Sequence, residues 1–128
     1  MLEVVKKRHM IKRIHSTLLQ SKDLDETSAF YQKIGFSVEV SKNGVRLIFG
    51  DYRLTFIKET DKNSACAKKG IGMSIFFEVD NVDDFYQEIK EKQLNPLNEP
   101  AGRPGGKRKF TVQDPDGYNL VFFTKTRL

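Results

Sequence analysis

The stretch Phe30-Tyr31-Gln32-Lys33-Ile34 recurs with one change as Phe85-Tyr86-Gln87-Glu88-Ile89. Each copy lies downstream of a strand-like segment carrying a serine, Ser16 or Ser74, and of a residue suited to cap a helix. A five-residue match is weak by itself, because a Phe-Tyr pair on an amphipathic helix ordinarily packs a core. Its weight comes from the surroundings: both copies sit in the same order of elements, so the chain reads as one unit written twice.

In the first unit, Ile11 to Gln20 is rich in β-branched and apolar residues and reads as a strand. Asp23-Leu24-Asp25-Glu26 supplies an N-cap and an acidic first turn, which suits the positive end of a helix. Phe30 and Ile34 share a helix face at i, i+4 spacing, and Gly35 is placed to end the helix in a left-handed conformation. Three strands follow, Phe36 to Ser41, Val45 to Phe49 and Tyr52 to Lys58. Asn43-Gly44 signals a tight hairpin and Gly50-Asp51 the next turn.

The second unit begins with a strand from Gly72 to Val79. Asn81 and Asp84 repeat the capping pattern, and Val82, Phe85 and Ile89 line one helix face, with Glu88 and Lys92 as an i, i+4 pair. Leu94 to Leu97 reads as a short strand that Pro96 confines to an edge. After a loop from Pro100 to Gly106 come strands at Lys107 to Val112 and Tyr118 to Lys125. The first helix has three more residues between cap and Phe-Tyr pair, nearly one turn, so the pair should keep roughly the same face. The fold class is therefore α+β, with two tandem βαβββ modules forming a curved, mostly antiparallel eight-stranded sheet and the helices on its convex face. Module one spans 10–58, the linker 59–70 and module two 71–128, while 1–9 reads as a disordered or adventitious arm.

At 128 residues, 38% of them apolar and 10 of them Phe, the chain can furnish one core but has no room for a second domain. Met1 to Met10 lacks a secretion signal and no apolar run is long enough to span a membrane, so a cytoplasmic protein is expected. The single cysteine, Cys66, cannot form an intramolecular disulfide or a thiolate metal cluster and reads as a bystander. The net charge of +5 collects in Lys6, Lys7, Arg8, Lys12 and Arg13 and in Arg103, Lys107, Arg108 and Lys109. Neither cluster comes with a DNA-reading helix, a zinc-finger spacing or an RNA-binding aromatic signature, which argues against nucleic acid as a partner.

Several segments resemble the vicinal oxygen chelate superfamily, which includes glyoxalase I, extradiol dioxygenases, fosfomycin-resistance thiol transferases and bleomycin-resistance proteins. They are Ser21 to Leu24, Ala29 to Phe36, Phe77 to Val82, and Phe110 to Leu120 with its Asp114-Pro115-Asp116-Gly117 turn; together they span nearly the whole chain from Met10. Enzymes of this family hold a divalent metal with four His, Glu or Gln side chains on four strands. The resemblance places those positions at Ser16, Thr55 or Phe56, Ser74 and Val121. None is a competent ligand for a divalent ion, so no metal and no other cofactor is expected. His15 stands one residue out of register with Ser16, and the other histidine, His9, lies in the arm.

If alternation holds along the strands, Ser16, Leu18 and Gln20, then Ser74, Phe76 and Glu78, then Asn119, Val121 and Phe123 line the concavity. Of these, Ser16, Leu18, Gln20, Ser74, Phe76, Val121 and Phe123, together with Arg103, form the candidate ligand-binding set, in a pocket between the modules or at a dimer interface. The family precedent is a metal-free protein that sequesters a small molecule, and the basic charge favours a neutral or anionic ligand over a cationic one such as bleomycin. The resemblance also implies a homodimer. An alternative is a metal-independent or atypical-metal lyase, isomerase or transferase with Glu78 or His15 as general base. A further alternative of another class is a basic module that binds nucleic acid through its arm.

Overall fold

The computed structural model describes residues 3–5, 10–59, 73–102 and 106–125. In order they form β1 (Ser16–Ser21), α1 (Leu24–Ile34), β2 (Val38–Ser41), β3 (Gly44–Phe49), β4 (Tyr52–Lys58), β5 (Ser74–Glu78), α2 (Val82–Glu91), β6 (Lys107–Gln113) and β7 (Asn119–Lys125). The architecture is α+β, as the repeat implies. One sheet has the order β1-β4-β3-β2 and the other β5-β7-β6; β1 is parallel to β4 and β5 to β7, and the remaining pairs are antiparallel.

Several boundaries differ from the sequence reading, most by a residue or two, and three differences have a clear physical cause. β1 starts at Ser16 rather than Ile11, because its ladder with β4 begins at the pair Ser16 and Arg53. Ile11 and Ile14 stay exposed ahead of it. Ser41 pairs with Gly44, so the hairpin turn is Lys42-Asn43 and Gly44 belongs to the strand. Gly44 is needed for another reason: a Cβ there would lie 2.9 Å from the Phe56 carbonyl oxygen of β4. The strand expected at Leu94 to Leu97 is reduced to an isolated bridge between Pro96 and Val112, since proline has no N–H to extend a ladder. The described residues thus contain seven strands.

Both helices begin as the sequence indicates. The Asp23 carboxylate accepts from the Glu26 N–H, and Asn81 Oδ1 accepts from the N–H groups of Asp83 and Asp84. Measured from the caps, however, Tyr31 corresponds to Ile89 and Gly35 to Gln93. Tyr31 and Ile89 are both wholly buried, whereas Phe30 and Phe85 are partly buried. The matching pentapeptides are therefore offset by nearly one turn, and the repeat that the structure obeys is the spacing from cap to cap.

The two modules share one core. Phe36 follows α1, yet its ring meets Phe77 of β5 at 4.9 Å between centroids and Phe122 of β7 at 6.3 Å. Phe49 of β3 likewise meets Phe77 at 5.8 Å. This aromatic bridge joins core residues of one sheet, such as Phe56 and Leu47, to Phe110, Phe122 and Ile89 of the other half.

Gly35 ends α1 at φ 121, and its equivalent Gln93 holds the same left-handed region at φ 61. A side chain in that conformation costs about 1–2 kcal/mol, which glycine avoids. Gln93→Gly should therefore stabilise the protein by roughly 1 kcal/mol in urea unfolding; a loss of stability would show that Gln93 makes compensating contacts.

Candidate functional site

The turn after β6 fastens the two modules together. Asp114 is buried; its Oδ2 accepts from the Tyr31 hydroxyl of α1 at 2.6 Å, and its Oδ1 accepts from the N–H groups of Asp116 and Tyr118 at 2.9 Å each. Asp116 Oδ1 accepts from the Lys22 N–H, and the Tyr118 hydroxyl both accepts from the Gln20 N–H and donates to the Gln20 carbonyl. Gly117 takes φ 91 inside this turn, a conformation glycine permits at low cost. Burial raises the Asp114 carboxyl above the ordinary carboxylate range, although three hydrogen bonds oppose the shift. Burial first, and then the Asp114 charge, push the Tyr31 phenol far above its usual value.

Beside this clasp the modules enclose a cleft of about 710 Å³. The C-terminal end of α1 contributes Ile34, Gly35 and Phe36, the first sheet Thr17, Phe49 and Tyr52, and β5 nearly its whole length. Phe85 and Phe122 complete the far wall. Thr17 Oγ1 and the Tyr52 hydroxyl hydrogen-bond to each other on the first-sheet wall. The volume is in the range of small-molecule sites, and most of the lining is apolar.

The candidate residues divide between this cleft and the sheet faces turned away from the helices. Ser74, Phe76 and Glu78 line the cleft, because β5 is the edge strand bordering it. Ser16, Leu18 and Gln20 alternate with the buried Leu19 and Ser21 and occupy the open face of the first sheet, where Leu18 is 63% exposed. Asn119, Val121 and Phe123 occupy the corresponding face of the second. There Val121 and Phe123 are nevertheless buried. Lys107 extends over the Phe123 ring with Nζ 5.4 Å from the centroid, and Lys109 over Phe76 at 5.6 Å, so lysine stems shield the apolar row. Arg103 lies outside the described residues, as do His9 and Cys66.

The basic cluster near the end of the chain is thus dispersed. Arg108 points the other way from Lys107 and Lys109 and grips Asp83 with two 2.9 Å hydrogen bonds, which lowers the Asp83 carboxyl. Sequence reasoning missed Thr17, Tyr52, Phe36 and Phe49, since the alternation rule assigned Thr17 to the helix-covered side. The signal was available in the aromatic spacing of Phe36, Phe49 and Phe77 but could not be told from ordinary core.

The register of the fourth strand is explicit. Thr55 pairs with Leu18 on the open face, while Phe56 is fully buried, so Thr55 corresponds to Val121, which pairs with Phe76. The positions to which the resemblance assigns the family's metal ligands, with the fourth-strand register resolved, are then Ser16, Thr55, Ser74 and Val121. Three neutral hydroxyls and a hydrocarbon do not fit a divalent ion. His15 precedes β1 and is exposed, and Glu78 is exposed at the end of β5. Among the described residues no group of three His, Cys, Asp or Glu is assembled, and no helix is long and apolar enough to cross a membrane.

The family model described as Glyoxalase/Bleomycin resistance protein/Dioxygenase superfamily matches residues 13–122. Among solved structures, the chain is similar to a virulence protein from Salmonella typhimurium, with 24% identity and a TM-score of 0.73 over 92% of this chain and 100% of that one. It is similar to a glyoxalase/bleomycin resistance protein/dioxygenase from Nocardioides, with 18% identity and a TM-score of 0.73 over 93% and 87% of the two chains. It is also similar to a bleomycin resistance determinant encoded on the transposon Tn5, with 22% identity and a TM-score of 0.67 over 89% and 98%. At these identities the likenesses establish the fold. No curated protein sequence matches the chain.

The clasp yields a direct test. Tyr31→Phe leaves the Asp114 carboxyl one buried partner short and should cost about 1.5–3 kcal/mol in urea unfolding. In the wild type, an unfolded Tyr31 would lose its proton above pH about 10 while the folded one keeps it. Stability should therefore fall as pH rises above that value, and less steeply in the variant. A Tyr31→Phe protein as stable as wild type would refute the assignment.

Proposed function

The chain belongs to the glyoxalase/bleomycin resistance protein/dioxygenase superfamily, and from that premise we propose that it binds a small neutral or anionic molecule in the cleft between its modules, without a divalent metal. The observation carrying this reading is the cleft itself: about 710 Å³, walled by aromatic rings from both halves and edged by a few hydroxyls. The donor set at Ser16, Thr55, Ser74 and Val121 supports the second half. A metal enzyme of this family polarises substrate oxygens through its ion, and these side chains offer nothing to hold one there.

Binding in such a cleft follows from ordinary forces. An apolar body entering it leaves water and gains contact with rings that are already held in place by the shared core, so little ordering is required of the protein. Selective sequestration needs no reacting group. This suits a chain in which both candidate bases, Glu78 and His15, are exposed.

Two measurements test the reading. Protein purified without chelators and analysed for Ni, Zn, Mn and Fe should carry well below one equivalent of any of them; a stoichiometric metal would contradict it. Isothermal titration with bleomycin should show no tight binding, because the drug is cationic and the chain has an excess of basic groups.

We also propose a homodimer. The open faces expose Leu18 and Phe76, at 63% and 48%, in the two sheets. Sedimentation equilibrium should return twice the mass of one chain, and a monomer at all concentrations would exclude the assembly.

A further inference from the structure

The charge of the whole chain and the charge of the cleft point in different directions. Among the described lining residues there is one ionisable side chain that is charged at neutral pH, Glu78, and no Lys, Arg or His. Lys109 meets a lining residue, Phe76, but its ammonium is set over the π face of that ring from the open side of the sheet. Lys107 is held in the same way over Phe123. Arg108 is committed to Asp83. Among the described residues, these three cations are thus arranged around the second sheet rather than inside the cleft.

Besides Ser74 and Glu78 on β5, the polar equipment of the wall is a pair of hydroxyls. Thr17 Oγ1 and Tyr52 OH are bonded to each other, which uses one of their two protons. The other proton remains available to donate, and lone pairs on both oxygens remain available to accept. Such a pair recognises a hydroxyl or carbonyl on a ligand but cannot neutralise a charge. A carboxylate entering the cleft would lose its hydration and meet Glu78 with no compensating cation among the described lining residues. An ammonium could approach Glu78 at the exposed strand end, but it would have to leave water for a wall of Phe36, Phe49, Phe77 and Phe122.

We propose that the cleft is specific for uncharged, largely aromatic molecules bearing one hydroxyl or carbonyl group, which is anchored by Thr17 and Tyr52. This narrows the ligand class and rests on the reading that the cleft binds small molecules.

A matched series on one ring system tests it by isothermal titration at neutral pH: naphthalene, 1-naphthol, 1-naphthoate and 1-naphthylmethylammonium. The naphthol should bind at least about tenfold more tightly than either ion and several-fold more tightly than naphthalene. Tyr52→Phe and Thr17→Val should each reduce the ratio of naphthol to naphthalene affinity. A thermal melt of each variant checks folding, and the second variant serves if the first does not fold. Glu78→Gln should strengthen naphthoate binding a few-fold relative to naphthol binding. Naphthoate or the ammonium binding as well as naphthol would overturn the specificity while leaving the cleft a binding site. Binding of none of the four would overturn both.

Discussion

A carboxyl group buried at the junction of the two modules is the constraint on which the other features depend. Asp114 takes three hydrogen bonds, one from a phenol in the first module and two from the backbone of its own turn. Its neighbours Asp116 and Tyr118 reach the backbone of Lys22 and Gln20. A buried polar group of this kind tolerates few alternative arrangements, because each lost partner leaves an acceptor unsatisfied away from water. The first strand and the start of α1 are thereby fixed against the last hairpin. With that distance set, Phe36 and Phe49 reach Phe77 and Phe122, and the space between edge strands β1 and β5 becomes a cleft rather than a closed core.

The alternation of side chains along each strand then assigns every residue to one of two environments. On the helix-covered side lie the shared core and much of the cleft wall. On the open side lie the positions to which the resemblance assigns the family's metal ligands, Ser16, Thr55, Ser74 and Val121, of which Ser74 on the edge strand also borders the cleft, together with lysines set over phenylalanine rings. Lys107 and Lys109 illustrate why net charge alone misdirects. Counted in the sequence they are an electropositive patch; in place they are set over the Phe123 and Phe76 rings.

Much of the fold was legible because local chemistry wrote it twice. Asp23 and Asn81 mark helix starts by hydrogen bonds they form within a few residues, and Gly35 marks an end by its backbone freedom. What failed needed information from elsewhere in the chain. β1 could not be seen to begin at Ser16 without knowing where β4 begins, and Asn43-Gly44 looked like a turn although the close approach of the Phe56 carbonyl is what requires the glycine. The site was less legible than the fold. Ser74, Phe76 and Glu78 were named and do line the cleft, whereas Thr17 and Tyr52 join across two strands that only the sheet order places side by side. A pentapeptide repeat that is out of step with the cap-to-cap spacing shows the same limit: letters identified the duplication, and hydrogen bonds set its register.

The central claim is that the ligand sits between the modules, on the helix-covered side, and not on the open sheet face. A crystal structure of the protein soaked with 6-bromo-2-naphthol, with data collected at the bromine absorption edge, tests this most directly. The account predicts an anomalous peak in the cleft between Phe36 and Phe77, with the ligand oxygen at the Thr17 and Tyr52 hydroxyls. A peak on the open face beside Ser16, Thr55 and Val121, with the cleft filled by solvent, would contradict it.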